Sequence, residues 1–154
     1  YEAHVKYTGR NFAFAAKSLM ASCLDHTALI GGYGISSINP DNGEQEYTPF
    51  RHSTSWVNFT YGTKWKGHFF AGYTKNMGTA DALASATKYG MGLDIDQVFS
   101  TNIAFSYNLP HWQIGMEYMP TTAWYGDTDR ASGKVVNTHS VTNHRILGLV
   151  MYYF

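Results

Sequence analysis

The stretch that decides the fold is residues 97–119, which read QVFSTNIAFSYNLPHWQIGMEYM. Apolar residues recur at alternate positions on both sides of the short Leu109-Pro110 connection, interrupted at Thr101. The apolar members of this series are Phe99, Ile103, Phe105, Tyr107, Trp112, Ile114, Met116 and Tyr118. Successive side chains of a β-strand point to opposite faces, so this period predicts two strands with one apolar face each.

The same period of two recurs along the whole chain and predicts eight strands. They cover residues 1–8, 11–20, 27–36, 53–62, 67–75, 97–108, 111–119 and 143–154. Segment 11–20 is ambiguous, because its Ala-Ala-Lys-Ser-Leu-Met run is also compatible with a helix. No internal repeat or linker interrupts the pattern, so residues 1–154 are interpreted as one domain. Tyr1 already belongs to the alternation, and we therefore expect the chain to be part of a longer protein.

The composition excludes several classes of protein. The 11 basic and 11 acidic residues cancel, which argues against a nucleic-acid-binding surface. Only 14% of residues are charged while 16% are aromatic, as expected for a sheet that faces an apolar environment on one side. No apolar run reaches the roughly 18 residues of a transmembrane helix. Cys23 is the single cysteine, so no intramolecular disulfide is expected.

The connections between the predicted strands alternate in length. Short turns at 62–67 and 109–110 alternate with long polar loops at 37–52, 76–96 and 121–142. Outer-membrane barrels are wired in this way, with tight turns at one end and long loops at the other. The pattern predicts an all-β, antiparallel, up-and-down transmembrane β-barrel, since only helices and closed barrels span lipid.

The two faces of the predicted strands differ in a way that favours lipid over a soluble core. One face is rich in Tyr, Phe and Trp, and the other is mostly small and neutral or weakly basic. The four tryptophans, Trp56, Trp65, Trp112 and Trp124, fall near predicted strand ends or in connections. Aromatic girdles at membrane interfaces have this composition. A soluble ligand-binding β-barrel remains an alternative.

The last residues of the chain carry a further pattern. Counting back in twos from the C-terminus gives Phe154, Tyr152, Val150, Gly148 and Ile146. A final Phe preceded by apolar or small residues at alternate positions resembles the assembly signal of bacterial outer-membrane proteins. The resemblance implies that the barrel-insertion machinery reads these five residues.

Four other runs extend the resemblance to most of the chain. They lie at residues 59–67, 70–76, 106–112 and 144–148, and they resemble the C-terminal part of porin-like outer-membrane proteins of Gram-negative bacteria. The similarity covers about residues 51–154, and such proteins are substantially longer than this chain. It implies an outer-membrane location in contact with lipid and lipopolysaccharide, about eight strands of a larger barrel, and no cofactor. Homo-oligomers or larger outer-membrane complexes are left open.

The resemblance implies a channel for passive diffusion of small hydrophilic solutes. If the aromatic face meets lipid, the other face lines the lumen. The predicted lumen-lining residues are Glu2, His4, Lys6, Lys17, Asn58, Thr60, His68, Asn102, Gln113, Glu117 and Arg145. The inward face of the last strand is mostly apolar, which a wet pore wall does not explain. A small closed barrel with a structural, adhesive or lipid-modifying role is the alternative, because eight strands alone leave no pore.

Metal-binding and catalytic motifs are weak in this sequence. The seven histidines lack metal-ligand spacing, and Asp127-Thr128-Asp129 lacks the other ligands of a calcium loop. His139-Ser140 and His144 lie near the same loop as Asp127, but such common residues meet by chance. We therefore expect no catalytic residue, no bound metal and no enzyme activity.

Deleting Phe154 should impair insertion into the outer membrane and leave the alternation of the remaining strands intact. The physical reason is loss of the terminal aromatic residue of the assembly signal, not loss of a core contact. Quantifying the protein in purified outer membranes tests this. Normal membrane levels of the truncated protein would contradict the assembly-signal interpretation.

Overall fold

The computed structural model describes residues 1–25 and 30–154, which form ten strands and no α-helix. The strands are β1 (Glu2–Thr8), β2 (Phe12–Ser22), β3 (Gly31–Ile38), β4 (Gln45–Pro49), β5 (Arg51–Gly62), β6 (Trp65–Gly78), β7 (Lys88–Met91), β8 (Ile95–Asn108), β9 (Trp112–Thr128) and β10 (Val135–Tyr152). Every strand pair is antiparallel, which confirms the predicted all-β antiparallel class. None of the described residues belongs to a helix that is long and apolar enough to cross a membrane.

Seven strands form one sheet in the order β1-β2-β5-β6-β8-β9-β10. The chain runs up and down through this sheet, so its connections leave from two opposite ends. At the short-turn end lie residues 9–11, 63–64 and 109–111. At the long-loop end lie residues 23–25, 30–50, 79–94 and 129–134. The sheet is open within this chain, because its edge strands β1 and β10 do not pair with each other.

The second sheet has the order β4-β3-β7 and corrects one predicted strand. Segment 27–36 was expected in the main sheet, but β3 belongs to the second sheet, and residues 27–29 lie outside the described residues. Glycines explain the difference. Gly32 and Gly90 face each other, and a Cβ on Gly32 would lie 2.1 Å from the carbonyl oxygen of Tyr89. Only glycine permits so close an approach of two backbones.

Several other boundaries also differ from the prediction. Segment 11–20 is strand β2, so its helical alternative is wrong. The predicted long loop 121–142 is wrong, because β9 and β10 continue through it to a hairpin connection at 129–134. The Thr122 and Thr142 hydroxyls lie 2.9 Å apart across this ladder. Backbone hydrogen bonds hold these polar residues in strands without apolar alternation, which is why the sequence pattern missed them.

A small apolar core lies at the long-loop end. Phe50 is fully buried and clusters with Leu83 and Leu93, which are 4% and 6% exposed. The Phe50 amide donates to the Gly32 carbonyl at 2.9 Å, which ties the start of β5 to β3. We call β3, β4, β7 and the connection at 79–87 the cap.

Two arginines fasten the cap to the main sheet. The Arg51 guanidinium donates to the Thr79 carbonyl at 2.9 Å. Arg130, in the β9–β10 hairpin, donates to the carbonyls of Leu83, at 3.2 Å, and Ala84. These hydrogen bonds satisfy loop carbonyls that take no part in a β-ladder. They attach the cap to the sheet on two sides.

Replacing Phe50 by Ala should lower the free energy of unfolding by about 3–5 kcal/mol, the usual cost of a cavity left by a buried Phe. Chemical denaturation of the purified protein measures this. Phe69→Ala is the matched control, because Phe69 lies on the main sheet and is 43% exposed. Equal losses in the two variants would show that the cap core does not stabilise the fold.

Candidate functional site

The strand register divides the seven-stranded sheet into two continuous faces. Directly opposite residues of antiparallel strands share a face. His4 lies opposite Lys17, and His68 lies opposite both Thr60 and Ala104, so each face can be followed from strand to strand. All residues predicted to line a lumen fall on one face, called here the polar face: Glu2, His4, Lys6, Lys17, Asn58, Thr60, His68, Asn102, Gln113, Glu117 and Arg145.

The opposite face, called here the aromatic face, exposes large apolar side chains. Tyr7 is 58% exposed, Trp65 70%, Phe105 61%, Met116 65% and Ile146 73%. Four of the five predicted assembly-signal residues also lie on this face: Ile146, Gly148, Val150 and Tyr152. Phe154 follows the end of β10 and is fully exposed. Monomeric soluble proteins rarely expose an apolar surface that extends over a whole sheet.

A histidine on the middle strand of the sheet connects three strands of the polar face, towards the short-turn end. His68 on β6 lies 3.1 Å from the Thr60 hydroxyl on β5, through Nδ1, and 3.4 Å from the Ser106 hydroxyl on β8, through Nε2. Ser106 is only 5% exposed and also accepts a hydrogen bond from the Asn108 amide at 3.2 Å. The sequence pattern places Thr60 and His68 on the polar face. It gives no sign that Ser106 joins their hydrogen-bond network.

The two carboxylates of the candidate set are both paired with cations. Lys17 lies 3.1 Å from Glu2 across β1 and β2. Arg145 on β10 donates to Glu117 on β9. Each ion pair joins neighbouring strands, so these charges stabilise the register as well as making the face polar.

The side of β10 that belongs to the polar face is mostly apolar, as the sequence indicated. Leu147 and Leu149 lie opposite Glu117 and Gly115 on the polar face and are 49% and 39% exposed. They border a cavity of about 130 Å³ together with His68 and Glu117. The polar face therefore has hydrogen-bonding groups beside an apolar strip. A small molecule in this cavity would contact both kinds of group.

The tryptophans only partly follow the predicted positions. Trp65 and Trp112 are the first residues of β6 and β9, at the short-turn end. Trp56 instead lies in the middle of β5 on the polar face, with its ring 6.4 Å from that of Phe70. Trp124 lies within β9 and not in a connection, so the prediction of strand-end positions is wrong for Trp56 and Trp124.

The cap covers the long-loop end of the polar face. His52 and Asn76 lie opposite each other and are 0% and 2% exposed, whereas Thr54 and Thr74 further along the same strands are half-buried. The Thr54 and Thr74 hydroxyls lie 3.1 Å apart. Burial of His52 and Asn76 had no signal in the sequence, because it depends on how segments distant in the chain pack at the long-loop end of the sheet.

The residues considered for metal binding or catalysis have structural contacts. Among residues 1–25 and 30–154, no group of three or more His, Cys, Asp or Glu side chains could hold a metal ion. On the aromatic face, the His144 ring stacks on the Tyr118 ring, and its Nδ1 is hydrogen-bonded to the Tyr118 hydroxyl at 2.8 Å. Asp129 accepts a hydrogen bond from Ser132 at 2.6 Å, which lowers the pKa of the Asp129 carboxyl and closes the β9–β10 hairpin.

No protein-family model, curated protein or solved structure matches this chain. The two faces of the sheet, and not a relative, are therefore the basis for inferring its function. The polar face offers hydroxyl, imidazole, amide and ion-paired groups, which can bind water and polar solutes.

Replacing His68 by Ala should lower the free energy of unfolding by about 1–3 kcal/mol, because Thr60 and the buried Ser106 lose a partner. The matched control is His4→Ala, since the His4 side chain is 72% exposed on the same face. We expect the control to change stability by about 0.5 kcal/mol or less. Denaturant titrations of both variants measure the difference, and equal values would show that the His68 network is not stabilising.

Proposed function

We propose that this chain is part of a porin-like β-barrel channel of the bacterial outer membrane, which lets small hydrophilic solutes diffuse passively. The observation that carries the proposal is the separation of the two faces. Large apolar side chains are exposed on the aromatic face, and all the predicted lumen residues lie on the polar face. Lipid would cover the first and water the second.

The lengths of the strands support a membrane location. A tilted transmembrane strand needs about 9–11 residues. Strands β2, β5, β6 and β8 have 11, 12, 14 and 14 residues, and β9 has 17. Each is therefore long enough to cross the hydrocarbon layer, with the excess extending into the interfaces.

The open edges of the sheet support a larger barrel. In lipid, unpaired backbone groups cost several kcal/mol each, so an open sheet edge is not tolerated. Strands β1 and β10 are both unpaired on their outer sides in this chain. We infer that further strands of a longer polypeptide pair with these edges. A barrel of about eight strands fills its interior with side chains, whereas one of about sixteen encloses a water-filled channel, so a channel requires these further strands.

The two ends of the sheet support an orientation. Short turns face the periplasm and long loops face outward in barrels of this kind. The cap, at the long-loop end, would then lie over the outer mouth and narrow the passage. Partners implied by this proposal are lipid, lipopolysaccharide and the assembly machinery, for which Ile146, Gly148, Val150, Tyr152 and Phe154 would form the signal.

Adjacent residues on opposite faces test the proposal. Ile103 lies on the aromatic face and is 50% exposed, and Asn102 lies on the polar face. Ile103→Arg should cost about 2–4 kcal/mol of insertion energy, as for a charge in lipid. Asn102→Arg should insert normally and change the ion current. The measurements are folding into lipid vesicles and conductance across planar bilayers, made on the full-length protein.

Each other outcome has a distinct meaning. Insertion without conductance would contradict the channel and favour a closed barrel with a structural or lipid-modifying role. A second contrary outcome combines two results: Ile103→Arg folds as well as the wild type, and the wild-type protein stays in solution without detergent. Together they would contradict the membrane location and favour a soluble β-barrel.

A further inference from the structure

The junction between the cap and the main sheet buries a row of alternate side chains. Thr48 in β4 is 1% exposed, and Phe50 and His52, at the start of β5, are 0% exposed. The Phe50 amide bonds to a carbonyl of β3, and the Arg51 side chain donates to the Thr79 carbonyl of the cap. His52 therefore follows directly, along the chain, the two residues whose hydrogen bonds hold the cap.

His52 is a titratable side chain that is completely buried. Neither Nδ1 nor Nε2 of its ring has a hydrogen-bond partner among residues 1–25 and 30–154. A side chain on the face of a sheet becomes inaccessible only where other segments pack on that face. This end of the sheet carries the cap and the β9–β10 hairpin, which are joined by a hydrogen bond from the Leu83 amide to the Arg130 carbonyl at 2.7 Å.

The groups around His52 offer no free negative charge to a protonated ring. The residues opposite His52 are Ala21 on β2 and Asn76 on β6, and neither titrates. On β8, the Asp96 carboxylate beside Asn76 is already paired with Lys75 at 2.6 Å. Within the described part of the chain, His52 forms no salt bridge with any charged side chain of the cap or the hairpin, which are Glu46, Asp81, Lys88, Asp129, Arg130 and Lys134.

A proton on His52 would therefore be an unpaired charge in a buried position. Burial favours the neutral imidazole and lowers the pKa of His52. This residue lies outside the part of β5 that would cross lipid, because residues 53–62 alone match the roughly 9–11 residues of a transmembrane strand. When the cap lifts, water reaches the ring, which then has its ordinary pKa of about 6.5. The closed cap is therefore most stable above about pH 6.5 and loses stability as the pH falls below that value.

We propose that the cap is a pH-dependent gate, in which uptake of a proton by His52 in mildly acidic solution releases the cap from the main sheet. The apolar cluster at this end, Phe50, Leu83 and Leu93, is small, so an unpaired charge buried beside it is a large cost by comparison. The release involves the cap and the sheet alone. It goes beyond the channel proposed above and does not depend on it.

Hydrogen–deuterium exchange of the purified full-length protein in neutral detergent measures the release. The reporters are the amides of Phe50 and Leu83, which bond to the carbonyls of Gly32 and Arg130 at 2.9 and 2.7 Å. After correction for the intrinsic exchange rate, their exchange should be about tenfold faster at about pH 5.5 than at about pH 7.5. Amides of the β8–β9 ladder should not change. An equal rise in that ladder would indicate general acid unfolding and would overturn the proposal, as would no rise at Phe50 and Leu83.

Two substitutions test whether His52 is the responsible group. His52→Gln cannot take up the proton, so the difference between the two pH values should disappear. Asn76→Asp keeps the acceptor for the Gly78 amide and places a carboxylate opposite His52, which gives the protonated ring a partner. The faster exchange in acid should therefore also be lost in Asn76→Asp.

The matched control is His139→Gln, because His139 is an exposed histidine of β10 near the long-loop end. This variant should keep the faster exchange of the wild type in acid. Faster exchange that persists in His52→Gln or in Asn76→Asp, or that disappears in His139→Gln as well, would overturn the proposal. If His52→Gln does not fold, the result for Asn76→Asp decides.

Discussion

The antiparallel register of the main sheet is the constraint on which the rest of the structure depends. Because side chains alternate along each strand and opposite residues share a face, a slip of one residue would move a whole strand's aromatic residues to the polar face. Paired contacts on the polar face oppose such a slip. His68 bridges β5 and β8, and the Glu117–Arg145 pair links β9 and β10.

The cap shows how a long connection can be made part of a fold by a few contacts. A core of three apolar side chains, headed by Phe50, is small for ten strands. Glycines let β3 and β7 approach closely, and Arg51 and Arg130 satisfy carbonyls in the returning loops. The strands are therefore held mainly by their backbone ladders, because few apolar side chains are buried and large apolar side chains are exposed on the aromatic face.

The polar face is chemically mixed and not uniformly hydrophilic. Its carboxylates are neutralised by neighbouring cations, its hydroxyls are joined through His68, and Leu147 and Leu149 form an apolar strip beside them. A surface of this kind offers hydrogen-bonding groups and apolar groups side by side, with its carboxylates already paired. Buried polar atoms without a hydrogen-bond partner lie instead at the long-loop end, on Thr48, His52 and Asn76.

The sequence by itself determined the antiparallel all-β class, most strand positions and the face on which each candidate polar residue lies. These properties follow from a period of two, which is local and needs only adjacent residues. Tertiary structure alone decided that β3 leaves the main sheet and that residues 121–142 continue two strands. It also decided the burial of His52 and Asn76. Those features depend on backbone pairing and on contacts between segments distant in the chain, for which side-chain alternation carries no signal.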